Sequence, residues 1–124
     1  MDLMPDIPAG RQVLEAYGDG GFRVTGQRYD GSIIVTPDAT VGWDVAEISA
    51  LESGSLAPII ERADAIEVLL LGCGSSMAFV KPDLRAALKE HGISVDPMDT
   101  GAACRTYNVL MAEDRKVAAA LIAI

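Results

Sequence analysis

A glycine- and serine-rich segment contains the residue types best suited to chemistry in this chain of 124 residues. The segment follows an apolar run at residues 66–71 and consists of Gly72, Cys73, Gly74, Ser75 and Ser76. Ligands of open α/β sheets gather beyond the carboxyl ends of strands, and glycine N–H groups with serine hydroxyls can hold a small anion. Residues 72–77 are therefore a candidate binding site. The alternative is a tight turn of small residues that lets neighbouring elements pack closely.

Thr100 is expected to complete this candidate site. Its hydroxyl can cap the last long helix of the chain by accepting a backbone N–H. The N–H groups at a helix N-terminus also attract anions. We therefore group Thr100 with residues 72–77 as candidate ligand-binding residues.

The glycine-rich segment does not fit a dinucleotide-binding fingerprint. That fingerprint requires a third glycine where this chain has Met77, and a helix that begins at once. Pro82 disfavours helical backbone at Lys81, so too little chain remains for such a helix. No Rossmann-type cofactor site is predicted.

The cysteines and the single histidine give no strong signal for catalysis or metal binding. Cys73 could be a nucleophile only with a base or cation to stabilise its thiolate. His91 is expected at the end of a surface helix, where interaction with the last carbonyls explains it more simply than pairing with Cys73. Cys104 is expected to be buried and structural. One histidine and two distant cysteines fall short of a zinc site, so no metal ligand or catalytic residue is predicted.

Trp43 is the only tryptophan in the chain. If its indole is exposed, it is a candidate anchor for a protein partner. The alternative is that it packs at the junction between the N-terminal hairpins and the main sheet.

Composition restricts the class of partner and the location. Eighteen acidic and ten scattered basic residues give a net charge of −8, which disfavours nucleic acid. No apolar run approaches the roughly 20 residues that cross a bilayer, so no membrane insertion is expected. The N-terminus lacks the basic start and apolar stretch of an export signal. The expected location is the cytoplasm.

The first third of the chain is predicted to be antiparallel β structure. Residues 1–10 are expected to be a loose arm, and residues 11–124 a single domain. Short β-branched and aromatic runs alternate with glycine-rich turns from residue 12 to residue 36, which is typical of hairpins. A further short strand is expected at residues 41–45.

The remaining sequence predicts alternating strands and helices. Ser55 is expected to cap a short helix over residues 56–63, and Pro82 to begin a helix that ends at Gly92. The apolar run at residues 66–71 is expected at the sheet centre. Residues 93–95 predict another strand. The alanine-rich tail, residues 117–124, suits either a helix or a buried strand.

This order predicts an α/β fold in one domain. Its central sheet should be largely parallel, because right-handed crossovers connect its strands. The N-terminal hairpins should form an appended antiparallel layer.

Several stretches together resemble the uncharacterised Mth-type domain family, which includes mitochondrial respiratory complex I assembly factor 3 and the adipogenesis-associated Mth-domain protein. The similar stretches are residues 26–29, 33–35, 37–38, 71–74, 82–92 and 100–108. The sharpest is the last, with the pattern Thr-x-x-Ala-Cys-x-x-Tyr-Asn. The resemblance implies a three-layer fold with a mixed sheet and a C-terminal strand, no established catalytic residue and no cofactor.

The resemblance favours an interaction role over a reaction, because it implies that the mitochondrial relatives help to assemble a respiratory complex. The leading hypothesis is therefore a non-catalytic interaction or assembly factor, serving a respiratory or other membrane complex through a protein partner. A homodimer is compatible with this hypothesis. The alternative is a small-molecule or anion-binding protein, including an enzyme, that uses residues 72–77.

Overall fold

The computed structural model describes residues 10–124 of the chain. The arm predicted for residues 1–10 lies outside the described residues, except for Gly10. The strands are β1 (Leu14–Gly18), β2 (Gly21–Val24), β3 (Gln27–Asp30), β4 (Ile33–Val35), β5 (Thr40–Gly42), β6 (Val68–Gly72), β7 (Ser94–Met98) and β8 (Val117–Leu121). The α-helices are α1 (Ala57–Ile60), α2 (Pro82–Glu90) and α3 (Thr100–Ala112).

The strands form two sheets. Strands β1, β2 and β3 make an antiparallel sheet, and the central sheet has the order β5-β4-β8-β6-β7. In the central sheet β8, β6 and β7 run parallel, whereas β4 is antiparallel to both β8 and β5. The mixed α/β fold predicted from the sequence is confirmed. Strand β4, which the sequence pattern grouped with the N-terminal hairpins, instead belongs to the central sheet beside β8.

The two faces of the central sheet bury separate apolar clusters, which gives three layers. One face packs against α3 and the antiparallel sheet, and the other against α1, α2 and the segment before α1. Alternation along β6 divides its leucines, since Leu70 joins the first cluster and Leu69 and Leu71 join the second. Strand β6 is therefore covered on both faces, as predicted, although β8 occupies the middle of the five strands.

The alanine-rich tail forms strand β8 rather than an extension of α3. Ala118, Ala119 and Ala120 are fully buried between the two layers, and β8 pairs with β4 on one side and β6 on the other. Alanine is not a strong strand former. The segment is nevertheless a strand because it pairs on both sides and because its short side chains let both layers approach the sheet. Tertiary context therefore decides its conformation.

Strand β7 lies at one edge of the central sheet, and its free side is partly blocked. Arg85 of α2 donates a hydrogen bond through Nη1 to the Val95 carbonyl oxygen at 3.1 Å. Pro97, within the strand, has no N–H to offer. Both features oppose pairing of this edge with another strand.

Two predicted helix caps are wrong. Asp99, not Thr100, caps α3 and accepts the Ala102 N–H at 3.0 Å. The Ser55 hydroxyl accepts the Glu52 N–H, at 3.3 Å, in a 3-10 turn that precedes α1. Threonine and serine are good caps. At α3, however, the neighbouring Asp99 takes the cap position, and before α1 an extra 3-10 turn contains Ser55.

Tyr107 of α3 is fully buried, which confirms the predicted orientation of that helix. Its hydroxyl donates a hydrogen bond to the Gln12 carbonyl oxygen at 2.9 Å. Tyr107→Ala should lower the free energy of unfolding by about 3–5 kcal/mol through loss of packing. Tyr107→Phe, which removes only the hydrogen bond, should cost about 1 kcal/mol. Urea unfolding measures both, and equal costs would contradict the packing role of the ring.

Candidate functional site

The glycine-rich segment lies at the carboxyl end of β6, where it meets the start of α3 and the end of β8. The Thr100 hydroxyl accepts the Gly74 N–H at 3.0 Å and donates to the Ile122 carbonyl oxygen at 2.8 Å. The Thr100 N–H in turn donates to the Gly74 carbonyl oxygen at 2.8 Å. Because Thr100 is fully buried, these bonds hold three elements together without competition from water.

Glycine is required at two positions of this junction. A Cβ at Gly72 would lie 3.1 Å from the Thr100 Cα and 3.0 Å from a Leu121 methyl carbon, so a side chain would push α3 and β8 away. Gly74 has a φ of +103°, a conformation that other residues rarely adopt. The alternative interpretation of a tight turn with close packing therefore accounts for both positions, since close packing requires Gly72 and the backbone of the turn requires Gly74.

The backbone donors of this junction are committed to protein acceptors. The Cys73 N–H donates to the Met98 carbonyl oxygen at 2.8 Å, and the Gly74 N–H to Thr100. At the start of α3 the Asp99 carboxylate accepts the Ala102 N–H and adds a negative charge. Ser75 and Ser76 are exposed. An anion held by the Cys73 or Gly74 N–H would have to displace existing bonds, and one at the start of α3 would approach a carboxylate, so these donors do not support the anion hypothesis.

Neither cysteine has the surroundings of a reactive thiol. Cys73 is buried, with its Sγ 3.5 Å from the Leu71 carbonyl oxygen, whereas His91 is exposed at the end of α2. Cys104 is also buried, and this burial raises the pKa of its thiol to about 12, although Arg105 acts in the opposite direction. A thiol with that pKa stays protonated and unreactive at neutral pH.

Trp43 is only 7% exposed. Its indole Nε1 donates to the Ser55 carbonyl oxygen at 2.9 Å, and its ring belongs to the cluster that covers one face of the central sheet. A partner could not reach this ring without disrupting the core. The exposure that the partner-anchor hypothesis requires is not present.

The segment that connects Gly74 to α2 exposes two large apolar side chains. Phe79 is 92% exposed and Met77 53% exposed. Val80, directly after Phe79, is buried in the core and anchors the segment. We call residues 75–81 the apolar loop. Phe79 was not among the residues predicted from the sequence, although a lone aromatic between small residues and Pro82, outside any strand or helix pattern, is a usable signal.

Residues 10–124 contain no group of three or more His, Cys, Asp and Glu side chains placed to hold a metal ion. Within the same residues, none of the helices has the length and apolar character needed to cross a bilayer.

Comparison with known proteins finds relatives in sequence and in fold. A family model described as a protein of unknown function (DUF498/DUF598) matches residues 14–122. The chain is 36% identical over 122 residues to NADH dehydrogenase (ubiquinone) 1 alpha subcomplex assembly factor 3 of Danio rerio, which covers 98% of this chain and 70% of that protein.

Solved structures agree with these sequence matches. A protein described as an outer membrane protein from Bartonella henselae is 44% identical, with a TM-score of 0.86 over 95% of this chain and 98% of that one. A Mth938-like domain from Bordetella pertussis is 30% identical, with a TM-score of 0.84 over 98% and 92% of the two chains. The resemblance predicted from the sequence is confirmed.

Removal of the Thr100 hydroxyl should destabilise the junction strongly. Thr100→Val keeps the shape of the side chain but leaves the buried Gly74 N–H and Ile122 carbonyl without their partner, at a cost of about 3 kcal/mol in the free energy of unfolding. Thr100→Ser keeps both bonds and loses only a methyl group, so it should cost about 1 kcal/mol. Urea unfolding compares them, and a serine variant as unstable as the valine variant would contradict the hydrogen-bonding role.

Stability should fall in alkaline solution because two buried acids resist ionisation. Burial raises the pKa of Cys104 from 9.0 to about 12 and also raises the pKa of Tyr107 from 10.0. Above pH 9 for Cys104, and above pH 10 for Tyr107, the unfolded chain releases the proton that the folded chain retains, so each group should then remove about 1.4 kcal/mol per pH unit.

The Cys104→Ala variant tests the contribution of this thiol. The onset of the fall should then move from near pH 9 towards pH 10, where the unfolded Tyr107 ionises. Urea unfolding between pH 7 and 11 measures the profile. A variant whose pH profile matches that of the parent would show that Cys104 does not contribute.

Proposed function

This chain belongs to the family of unknown function DUF498/DUF598, and on that premise we propose that it is a non-catalytic factor that binds a protein partner during assembly of a membrane complex. The respiratory NADH dehydrogenase is the first complex to test. The relative from Danio rerio, 36% identical, carries the name of an assembly factor for that enzyme. That name supports an assembly role, and the surface of this chain must supply the means of binding.

The exposed Phe79 is the observation that carries the proposal. Burial of a phenylalanine side chain contributes about 1.5–3 kcal/mol, and at 92% exposure Phe79 contributes almost none of it to folding. A partner with an apolar pocket could gain this free energy on binding. Aromatic and methionine side chains are enriched in the contact regions of interfaces, and Met77 adjoins Phe79 in the same loop.

The apolar loop is held at both ends, which favours binding further. Gly74 is fixed to Thr100 at one end, and at the other Val80 is buried just before Pro82 begins α2. A segment anchored in this way loses less conformational freedom on association than a free one. We infer that the partner presents an apolar pocket to Phe79 and packs its rim against Met77.

The alternative function, a small-anion-binding protein that uses residues 72–77, has weaker support. The N–H groups of Cys73 and Gly74 already donate to Met98 and Thr100. The cytoplasmic location stays a prediction, which cell fractionation measures. The homodimer also stays a prediction, and analytical ultracentrifugation measures the oligomeric state.

Phe79→Ser should weaken partner binding without unfolding the protein. Tagged parent and variant are crosslinked in the native host, and subunits of NADH dehydrogenase are quantified by mass spectrometry in each pull-down. We expect these subunits with the parent and about a tenfold loss with Phe79→Ser, which corresponds to roughly 1.4 kcal/mol of binding free energy. Thermal unfolding of the variant should match that of the parent.

Val109→Ala is the matched control, because Val109 is an apolar residue, 54% exposed, on α3 rather than in the loop. It should retain the partner. Equal recovery of the subunits by parent and Phe79→Ser would remove the loop from the interface, and absence of NADH dehydrogenase subunits from the parent pull-down would contradict the respiratory assignment.

A further inference from the structure

A cleft of about 460 Å³ opens at the end of the central sheet opposite the apolar loop. It lies where β6 and β8 begin and β4 ends, between the turn after β4, the chain before β6 and the turn between α3 and β8. Its volume falls in the range of small-molecule pockets. We call it the basic cleft because of the side chains that line it.

The basic cleft concentrates positive charge in an acidic protein. Four of the ten basic residues of the chain line it, although the net charge is −8. These four are Arg11, Arg62, Arg115 and Lys116, and among residues 10–124 the lining also contains two carboxylates, Asp38 and Asp114. The lining therefore has a local surplus of positive charge. Such a surplus attracts anions more strongly in a concave site than on a flat surface.

The two carboxylates are already paired with one arginine. Arg11 contacts Asp38 at 3.2 Å and Asp114 at 3.1 Å, through different guanidinium nitrogens. Asp38 and Asp114 are 82% and 75% exposed, so water screens their repulsion of a ligand, whereas Arg11 is only 29% exposed. Among residues 10–124, Arg62, Arg115 and Lys116 take part in no ion pair.

Hydrogen bonds fix the backbone that carries two of these cations and the side chain of a third. The Arg115 N–H donates to the Leu110 carbonyl oxygen at 3.0 Å, just after Asp114 takes a φ of +60°. The Lys116 carbonyl accepts the N–H groups of Glu67 and Val68 at 2.8 and 3.1 Å, which ties the turn to the start of β6. Arg62 donates through Nη1 to the Pro58 carbonyl oxygen at 3.0 Å, and within the described part of the chain its other guanidinium N–H groups have no hydrogen-bond acceptor. Positions fixed in this way lower the entropic cost of binding.

We propose that the basic cleft binds a small oxyanion with two or more negative charges, of the phosphate or carboxylate class. Arg62 and Arg115 can each offer paired N–H donors to such a group, which is the geometry that arginine uses for phosphate and carboxylate. Lys116 adds a point charge. This site is separate from the apolar loop and goes beyond the proposed assembly function.

Calorimetric titration of the full chain with pyrophosphate and with citrate tests the proposal, with sodium chloride at matched ionic strength as the reference. We expect saturable binding of at least one of the two anions and a rise in the unfolding temperature that chloride does not produce. The anion that binds more tightly identifies the class. The double variant Arg115→Gln/Lys116→Gln should weaken binding by about tenfold or more, since charge-assisted hydrogen bonds to both residues are lost.

The control is Arg23→Gln/Lys89→Gln, which makes the same change in net charge at exposed positions outside the cleft. It should bind as the parent does. Equal weakening in both double variants would mean that overall charge, and not the cleft, determines anion binding, and would overturn the proposal. Binding and stabilisation by chloride equal to those by pyrophosphate and citrate would also overturn it. Phe79→Ser should retain anion binding, so failure of the assembly function and failure of this site give different results.

Discussion

The hydroxyl of Thr100 joins the end of β6, the start of α3 and the end of β8, and the arrangement of the domain depends on this junction. This buried hydroxyl accepts the Gly74 N–H and donates to the Ile122 carbonyl oxygen, so both backbone groups have a partner. Buried polar groups left without partners are costly. The three elements can therefore meet only in this register, and only with glycine at position 72, where α3 approaches the strand.

This junction makes the two ends of the parallel strands unlike each other. At the carboxyl end, where α/β folds usually hold ligands, the N–H groups of Cys73 and Gly74 and the first turn of α3 are occupied by protein acceptors. The chain leaves this end through the apolar loop. At the amino end, the turns before β6 and β8 bring their cations together around a cleft. Partner binding and ligand binding would thus use opposite ends of one sheet.

Local sequence was sufficient for most of the fold, because strands and helices are recorded in the spacing of apolar residues. Helix α2 begins at Pro82 and ends just before Gly92, as predicted. The position of β4 could not be read locally, since its pairing partner β8 lies more than eighty residues away. The cap of α3 was misassigned to Thr100 for a similar reason. The same hydroxyl can serve a cap or a long-range contact, and only the arrival of β8 decides between them.

The site residues were harder to predict because their roles depend on exposure and on convergence in space. Trp43 and Phe79 are both lone aromatics in irregular segments, yet one is buried in the core and the other is 92% exposed. Spacing does not distinguish them. The neighbouring parts of the chain distinguish them. The Ser55 carbonyl oxygen is close enough to accept the Trp43 indole N–H, whereas Val80 packs into the core and leaves Phe79 on the surface. The cations that are scattered along the sequence likewise come together only in the fold. They meet at the basic cleft because three separate turns lie at one end of the central sheet.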